Sequence, residues 1–599
     1  MRRMVLACCL LVIGASNAWG TARAAEPRSP ADPNKVLRVS FPQATTGFDP
    51  ARISDLYSNT VVSAIFHTLV KWDWLASPSR LVPYAAEAMP EVSPDGLTYT
   101  FKIRKGLYFT PDPAFKGKRR ELQAKDFAYT IFRHADPKSI SPQLSDFEDV
   151  IVGLADAHKK AIEAGKFDYD QKIPGIEVLD SHTLRLRLTR PSPELLDVFE
   201  RGYMGAMARE VVEFHGAEAM MQRPVGSGPY RLERVVPGSK IILTANPDFP
   251  GFEWNYQAEA NAIEADRKVA EQMKGRLMPQ VGRVEISIIE EAQSAWLAFQ
   301  GGELDLLNVP TSFIEKALTP KNELQPELAQ KGMGMYRSVE SDIRYQFFNL
   351  KDPAIGGYTP ERIALRRAII MAFDVDEEIR VIRKNQAIKA TQLVAPVIPG
   401  HDPNYRGVNR YDPALANALL DHYGYRKGPD GFRVYPDGKP LVFTIFSSTA
   451  SIDRERDELW KRSMDRVGIR LEVKKDKFPE MLKQGKQCAV PSWGLGWTRA
   501  SNVVYVMKLL SSRTIGMNNY ACFENADYDR YFEQLKVTPP GPERTRILHN
   551  LYRLMEVYGV MSLSSTALTT RLNQPWVVGS RKHPIVTADF MYFDIQKQK

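Results

Sequence analysis

Residues 284–309 read as VEISII, EAQSAWLAFQGG and LDLLNV, a short alternating strand, a helix and a second strand, with Gly301-Gly302 ending the helix. Such a unit buries its apolar faces only as a layer of helices on a sheet, so it commits the chain to an α/β architecture. Similar units recur. VLRVSF (36–41) reads as a strand, Ser54 to Val70 as a helix capped by Ser54 or Asp55, and TYTFKIR (98–104) and HTLRLRL (182–188) as half-buried strands. After 309 the order is strand 344–350, helices 360–373 and 413–423, strand 441–447, helix 453–467, strand 470–474, then helices near 527–535 and 542–557. At 599 residues the chain is too long for one hydrophobic core, so two or more lobes are expected, the second opening near Val284.

The first 24 residues, MRRMVLACCLLVIGASNAWGTARA, have a basic start, an apolar run and small residues, the layout of a secretory signal cleaved after Ala24. The run is too short for a transmembrane anchor. Arg2-Arg3 is weak context for twin-arginine export, and too few residues precede Cys8 for a lipoprotein signal. Cys8 and Cys9 leave with the leader, so only Cys488 and Cys522 reach an oxidising compartment. Sequence leaves open whether they form a disulfide or remain two buried thiols. The net charge of +9 loses Arg2, Arg3 and Arg23 on cleavage and is mild for such a length. The short KGKRR run (116–120), without interleaved aromatics, reads as a solvated loop and not as a nucleic-acid surface.

Catalytic and metal signatures are missing. The nine histidines are scattered, and there is no G-x-S-x-G elbow, Walker loop or dinucleotide fingerprint. Gly226-Ser227-Gly228 is followed by a proline and a strand, so it offers no helix N-terminus to an anion; its glycines read as turn-forming. No carboxylate pair is singled out by spacing. Neither a cofactor nor a metal is expected, and an exported hydrolase is a remote alternative.

The stretch VGSGPYRLERVVPGSKIILTANPDF (225–249) places two alternating runs around a Pro-Gly turn, and it resembles a hairpin of the family 5 extracellular solute-binding proteins. LVPYAAEAMPEVSPDGLTYTFKIRKGLYF, QAKDFAYTIFR, AQSAWLAFQGGELDLLNVP, YQFFNLKDP, RIALRRAIIMAFDVDEEI and YDPALANALLDHYGY are similar to further family segments in the same order. The resemblance spans residues 36 to 560. It implies a two-lobed periplasmic binding protein fold (class II type, cluster C), with a subdomain inserted at about 80–205. It further implies lobe I at 25–288, lobe II at 289–492, and a hinge return completing lobe I at 493–599. The function it implies is that of a monomeric receptor holding a peptide or peptide-like solute for the membrane permease of an ABC importer. A nickel chelate, an opine or an oligosaccharide is the alternative cargo on the same fold.

Site residues follow from the same resemblance. FDPARISDLYSN faces the cleft in family members, making Tyr57 and Ser58 candidates, and Asn349 matches an F-N pair near the cleft. Oligopeptide-binding members carry a G-W-x-A-D motif whose Asp pairs with the peptide ammonium. Here the matching residues are Gly496, Trp497, Thr498, Arg499 and Ala500. The carboxylate is absent and a guanidinium stands beside it, so the implied ligand is N-blocked, cyclic, or anionic where it meets Arg499. Trp497 and Thr498 complete the expected contacts, with packing between lobes the alternative for Trp497 and Arg499.

Overall fold

The computed structural model describes residues 29–260, 262–407, 410–449, 451–497 and 501–596. The leader with its Ala24 cleavage site, and Thr498, Arg499 and Ala500, lie outside the described residues. Among the described residues no helix is long and apolar enough to cross a membrane.

The opening strand Asp32–Phe41 pairs in parallel with Val281–Ile288, which pairs antiparallel with Lys240–Ala245 and through it with Tyr230–Val236. The last two strands are the hairpin read from sequence, turned at Gly238 with φ +66°. Gly226 and Gly228 act differently from expectation. Neither has positive φ; a Cβ would sit 2.1 Å from Ile65 O at Gly226 and 2.8 Å from Ala64 O at Gly228. They let the backbone lie against the end of helix Leu56–Ile65, where Gly228 N donates to Ile65 O at 2.7 Å.

A second, antiparallel sheet runs Glu91–Val92, Thr98–Lys102, Thr183–Arg187 and Ile176–Asp180. Its period-two pattern puts Tyr99, Phe101, Leu184 and Leu186 inside, in one continuous core with Leu37, Ile286 and Tyr592. The inserted unit is therefore welded to the first lobe by shared burial.

The second lobe is built on a five-stranded sheet in the order Arg470–Lys475, Val442–Ser447, Ser492–Trp497, Ile343–Phe348 and Met561–Leu563. Tyr345 and Phe347 face one core and Phe348, Phe443 and Ile445 another, closed by helices Pro360–Ala372 and Ser451–Val467. Between the lobes, Ser565–Asn573 pairs with Leu306–Asn308, Gly334–Val339 and Ala387–Lys389, so outgoing and returning chain are hydrogen-bonded together.

The lobe boundary differs from the sequence expectation. Val503, Leu509, Tyr528, Leu551 and Met561 share a core with Tyr345 and Phe347, so the chain rejoins the first lobe only after Met561–Leu563 and not at 493. The cause is the apolar faces of helices Ala526–Val537 and Pro542–Tyr558, carrying Tyr528, Phe532, Leu535, Ile547, Leu551 and Met555. Residues 577–595 then pack into the first core. Cys488 and Cys522, left open by sequence, are disulfide-bonded with Cα atoms 6.1 Å apart.

Candidate functional site

A cavity of about 350 Å³ lies where the lobes meet, within the usual range of ligand pockets, ~300–1,000 Å³. Three stretches of the first lobe wall it: the cap of helix Leu56–Ile65 (Asp55, Leu56, Asn59), the strand Val70–Trp72 with Tyr84, and the pair Arg201 and Tyr203. The C-terminal stretch Ile585–Tyr592 forms a fourth wall, and Tyr505 of the second lobe closes it. A neighbouring cavity of about 310 Å³ shares Arg201 and Tyr505, which divide the two chambers.

The C-terminal wall is held by ion pairs that its sequence does not advertise. Arg571 binds Asp589 at 2.6 Å, Arg581 binds Asp266 at 2.7 Å, and Lys35 binds Asp594 at 2.6 Å. Tyr592 is thereby stacked on Trp74 at 4.3 Å and 10°. At the opposite wall, Asp55 caps its helix by accepting from Ser58 N at 2.7 Å and from the Thr46 hydroxyl at 2.5 Å. Burial alone would raise this carboxyl; the hydrogen bonds from Ser58 and Thr46 outweigh it and hold it below the usual value.

Lys71 is the unusual charge of the cavity. Its ammonium lies 4.3 Å from the ring centroid of Phe252, 4.8 Å from Tyr84, 5.5 Å from Tyr592 and 5.6 Å from Tyr256. Burial, and to a smaller extent Arg104, pull it down to about 7 against the attraction of Asp73.

Across the cleft, helix Leu195–Glu200 of the first lobe meets the N-terminus of helix Val503–Met507. Asn502 Nδ2 donates to Asp197 Oδ2 at 2.7 Å, Arg201 Nη2 donates to Ser501 Oγ at 3.1 Å, and Arg544 pairs with Glu194. Arg201 also lies 5.5 Å over the Tyr505 ring. Burial pushes the Asp197 carboxyl up to about 7, partly countered by the Asn502 hydrogen bond. These contacts form a polar latch between the lobes.

The residues singled out from sequence are placed as follows. Ser58 is fully buried, and its hydroxyl accepts from Thr46 N at 2.9 Å and Gly47 N at 3.3 Å, which anchors the preceding loop. Asn349 is 1% exposed and donates to Cys488 O and Val490 O while accepting from Lys351 N, so it ties a turn instead of lining the cleft. The Tyr57 ring packs 4.9 Å from Phe41, while its neighbours Asp55, Leu56 and Asn59 line the cavity. Trp497 is half-buried, 5.1 Å from the ring of the wall residue Tyr505, and does not itself line the cavity. Lys71, Tyr84, Arg201, Tyr505 and Tyr592 were missed. The alternation of Val70-Lys71-Trp72, with a lysine inside an apolar strand, was the one available signal.

Two α/β lobes joined by paired crossing strands, with a walled chamber where they meet, define a bilobal solute-binding protein. The model of the bacterial extracellular solute-binding proteins, family 5 Middle, matches residues 80–513, and the chain belongs to this family. Heme-binding protein A of Haemophilus influenzae is 23% identical over 555 residues, 91% of this chain and 90% of the relative. The dipeptide-binding protein of Escherichia coli is 22% identical over 483 residues, 78% of this chain and 76% of the relative. Among solved structures, the Helicobacter pylori periplasmic binding protein DppA in complex with peptide STSA superposes with a TM-score of 0.69 at 20% identity. That match covers 94% of this chain and 98% of the other.

Proposed function

We propose that the protein is a periplasmic receptor, its leader removed after Ala24, that captures a peptide or peptide-like solute between its lobes. It then delivers the solute to the permease of an ABC importer and performs no chemistry itself. The observation that carries this reading is the chamber whose walls come from both lobes, Tyr505 from one and Lys71, Arg201 and Tyr592 from the other. The family and the peptide-binding relatives support it.

Ligand that touches both walls stabilises the closed arrangement over the open one, and that difference in affinity is the signal read by the permease. Tyr57, Trp497, Thr498 and Arg499 are retained as candidate ligand contacts.

Thermal unfolding of the mature protein against short peptides, free, N-acetylated and cyclic, tests the reading. Ligand at a hundredfold excess over its Kd should add about 2.7 kcal/mol of stability. A preference for blocked or cyclic peptides is expected from the missing carboxylate at Ala500. Absence of stabilisation by every peptide contradicts the peptide assignment.

A further inference from the structure

We propose that Lys71 is the anion anchor of the inter-lobe cavity, receiving a carboxylate of the captured ligand. This deepens the receptor reading and rests on it.

Four aromatic faces surround the ammonium at 4.3–5.6 Å. Ring faces attract a cation but leave its three N–H donors without oxygen acceptors. Among the described residues Lys71 has no hydrogen bond and no ion pair. Asp73, the neighbouring acid, is taken by Arg80 at 2.8 Å and by Leu75 N at 3.1 Å. Other charges of the wall are engaged: Asp55 by Ser58 and Thr46, Arg201 by Ser501.

A charge enclosed this way is costly unless something pairs with it, and here the pairing partner must come through the cavity. Three further polar atoms of the wall are buried without a partner, Tyr84 Oη, Asn59 Oδ1 and Trp72 Nε1. Tyr84 Oη, on a ring that Lys71 touches, can donate, and Asn59 Oδ1 can only accept. An acceptor-only carboxylate would satisfy both the Lys71 ammonium and the Tyr84 hydroxyl, and Asn59 is left to take an N–H of the same ligand. The chemistry is that of a peptide carboxylate, which the C-terminus or an acidic side chain can supply.

The test uses the full mature protein and the variant Lys71→Met, with Lys71→Gln as the second variant should Met not fold. Three libraries of tri- to pentapeptides are offered at pH 6: free acids, C-terminal amides, and C-terminal amides carrying one aspartate. Retained peptides are quantified by mass spectrometry after rapid desalting. Wild type should retain free acids at least tenfold over plain amides, and the variant should lose that preference. Aspartate-bearing amides retained as well as free acids keep the anchor and assign it to a side-chain carboxylate.

Equal retention of free acids and both amide libraries by wild type, or an unchanged preference in the variant, overturns the anchor while the peptide reading stands. If no library is retained, the peptide reading fails and glutarate serves as the probe. A glutarate-induced rise in melting temperature that is lost in the variant keeps the anchor; an equal response in both proteins overturns it.

Discussion

Removing the ionisable carboxyl of the latch by Asp197→Asn should abolish most of a pH dependence in lobe closure. Asp197 faces Asn502, Glu194, Glu200 and Arg201, and burial lifts its carboxyl from 3.8 to about 7. A rise of that size corresponds to roughly 4 kcal/mol against the charged form. Partial exposure discounts it to roughly 1–2 kcal/mol. Separating the lobes returns Asp197 to water and to its ordinary value. The closed form thus holds an extra proton between about pH 4 and pH 7, so acid favours closure and rising pH weakens it through that window. The sign is opposite to that of an acid stabilised by a salt bridge. Small-angle X-ray scattering of the ligand-free protein from pH 5 to pH 8 reads the closed fraction directly. Wild type should open by roughly 5- to 30-fold in its equilibrium constant across the range, while Asp197→Asn stays flatter and more closed at pH 8. An identical pH profile in the variant would refute the reasoning.

Four further outcomes follow from the same contacts. Lys71→Met should raise the ligand-free apparent melting temperature at pH 6 by the equivalent of roughly 2–3 kcal/mol, since it deletes an enclosed charge held near 7 by burial and Arg104 against Asp73, beside Tyr84, Tyr256 and Tyr592. Wild type itself gains stability from this group as pH rises from about 7 toward 10.5, because the unfolded lysine keeps its proton there; the gap to the variant should close over that range, and a constant gap would count against it. Replacing Cys488 and Cys522 by serine opens a loop of 34 residues and should cost about 3–4 kcal/mol, seen as a lower melting temperature that reductant no longer changes. Ser58→Ala should destabilise the fold by about 1 kcal/mol through the loop at Thr46 and Gly47, with peptide affinity measured by calorimetry staying within twofold. Asn349→Ala, which strips hydrogen bonds from Cys488 O and Val490 O, should cost roughly 1–3 kcal/mol in thermal unfolding and leave peptide specificity as it was.

Elements with strong periodicity were legible. The strand at 98–102 alternates Tyr99 and Phe101 inward, the hairpin at 230–245 turns where the Pro-Gly pair says it should, and of the two expected caps of the helix at 56, Ser54 and Asp55, the cap is Asp55. That helix ends at Ile65 and not at Val70, because the following residues turn extended into the strand Val70–Trp72. Lobe membership after 493 was not legible, since an apolar helix face reports that it is buried but not against which sheet.

The cavity was the least visible feature. Its walls come from residues near 55, 71, 84, 201, 505 and 592, and the C-terminal wall is held by Arg581–Asp266 and Lys35–Asp594 pairs that link distant parts of the chain. Local motifs pointed instead to Ser58 and Asn349, polar residues whose hydrogen bonds are spent holding loops. Lys71 carried a sequence signal only as a charge within an apolar strand, and its role emerges from the four rings that fold around it.

The central claim is that the inter-lobe cavity holds a peptide or peptide-like solute. Native mass spectrometry of the protein purified from exporting cells, followed by release and fragmentation of whatever dissociates on denaturation, tests it most directly. The account predicts a bound mass, or a ladder of masses, that fragments as amide-linked residues and rebinds to stripped wild-type protein. A bound species without amide-linked residues, or a stripped protein that rebinds a sugar or metal chelate in preference to every peptide offered, would contradict it.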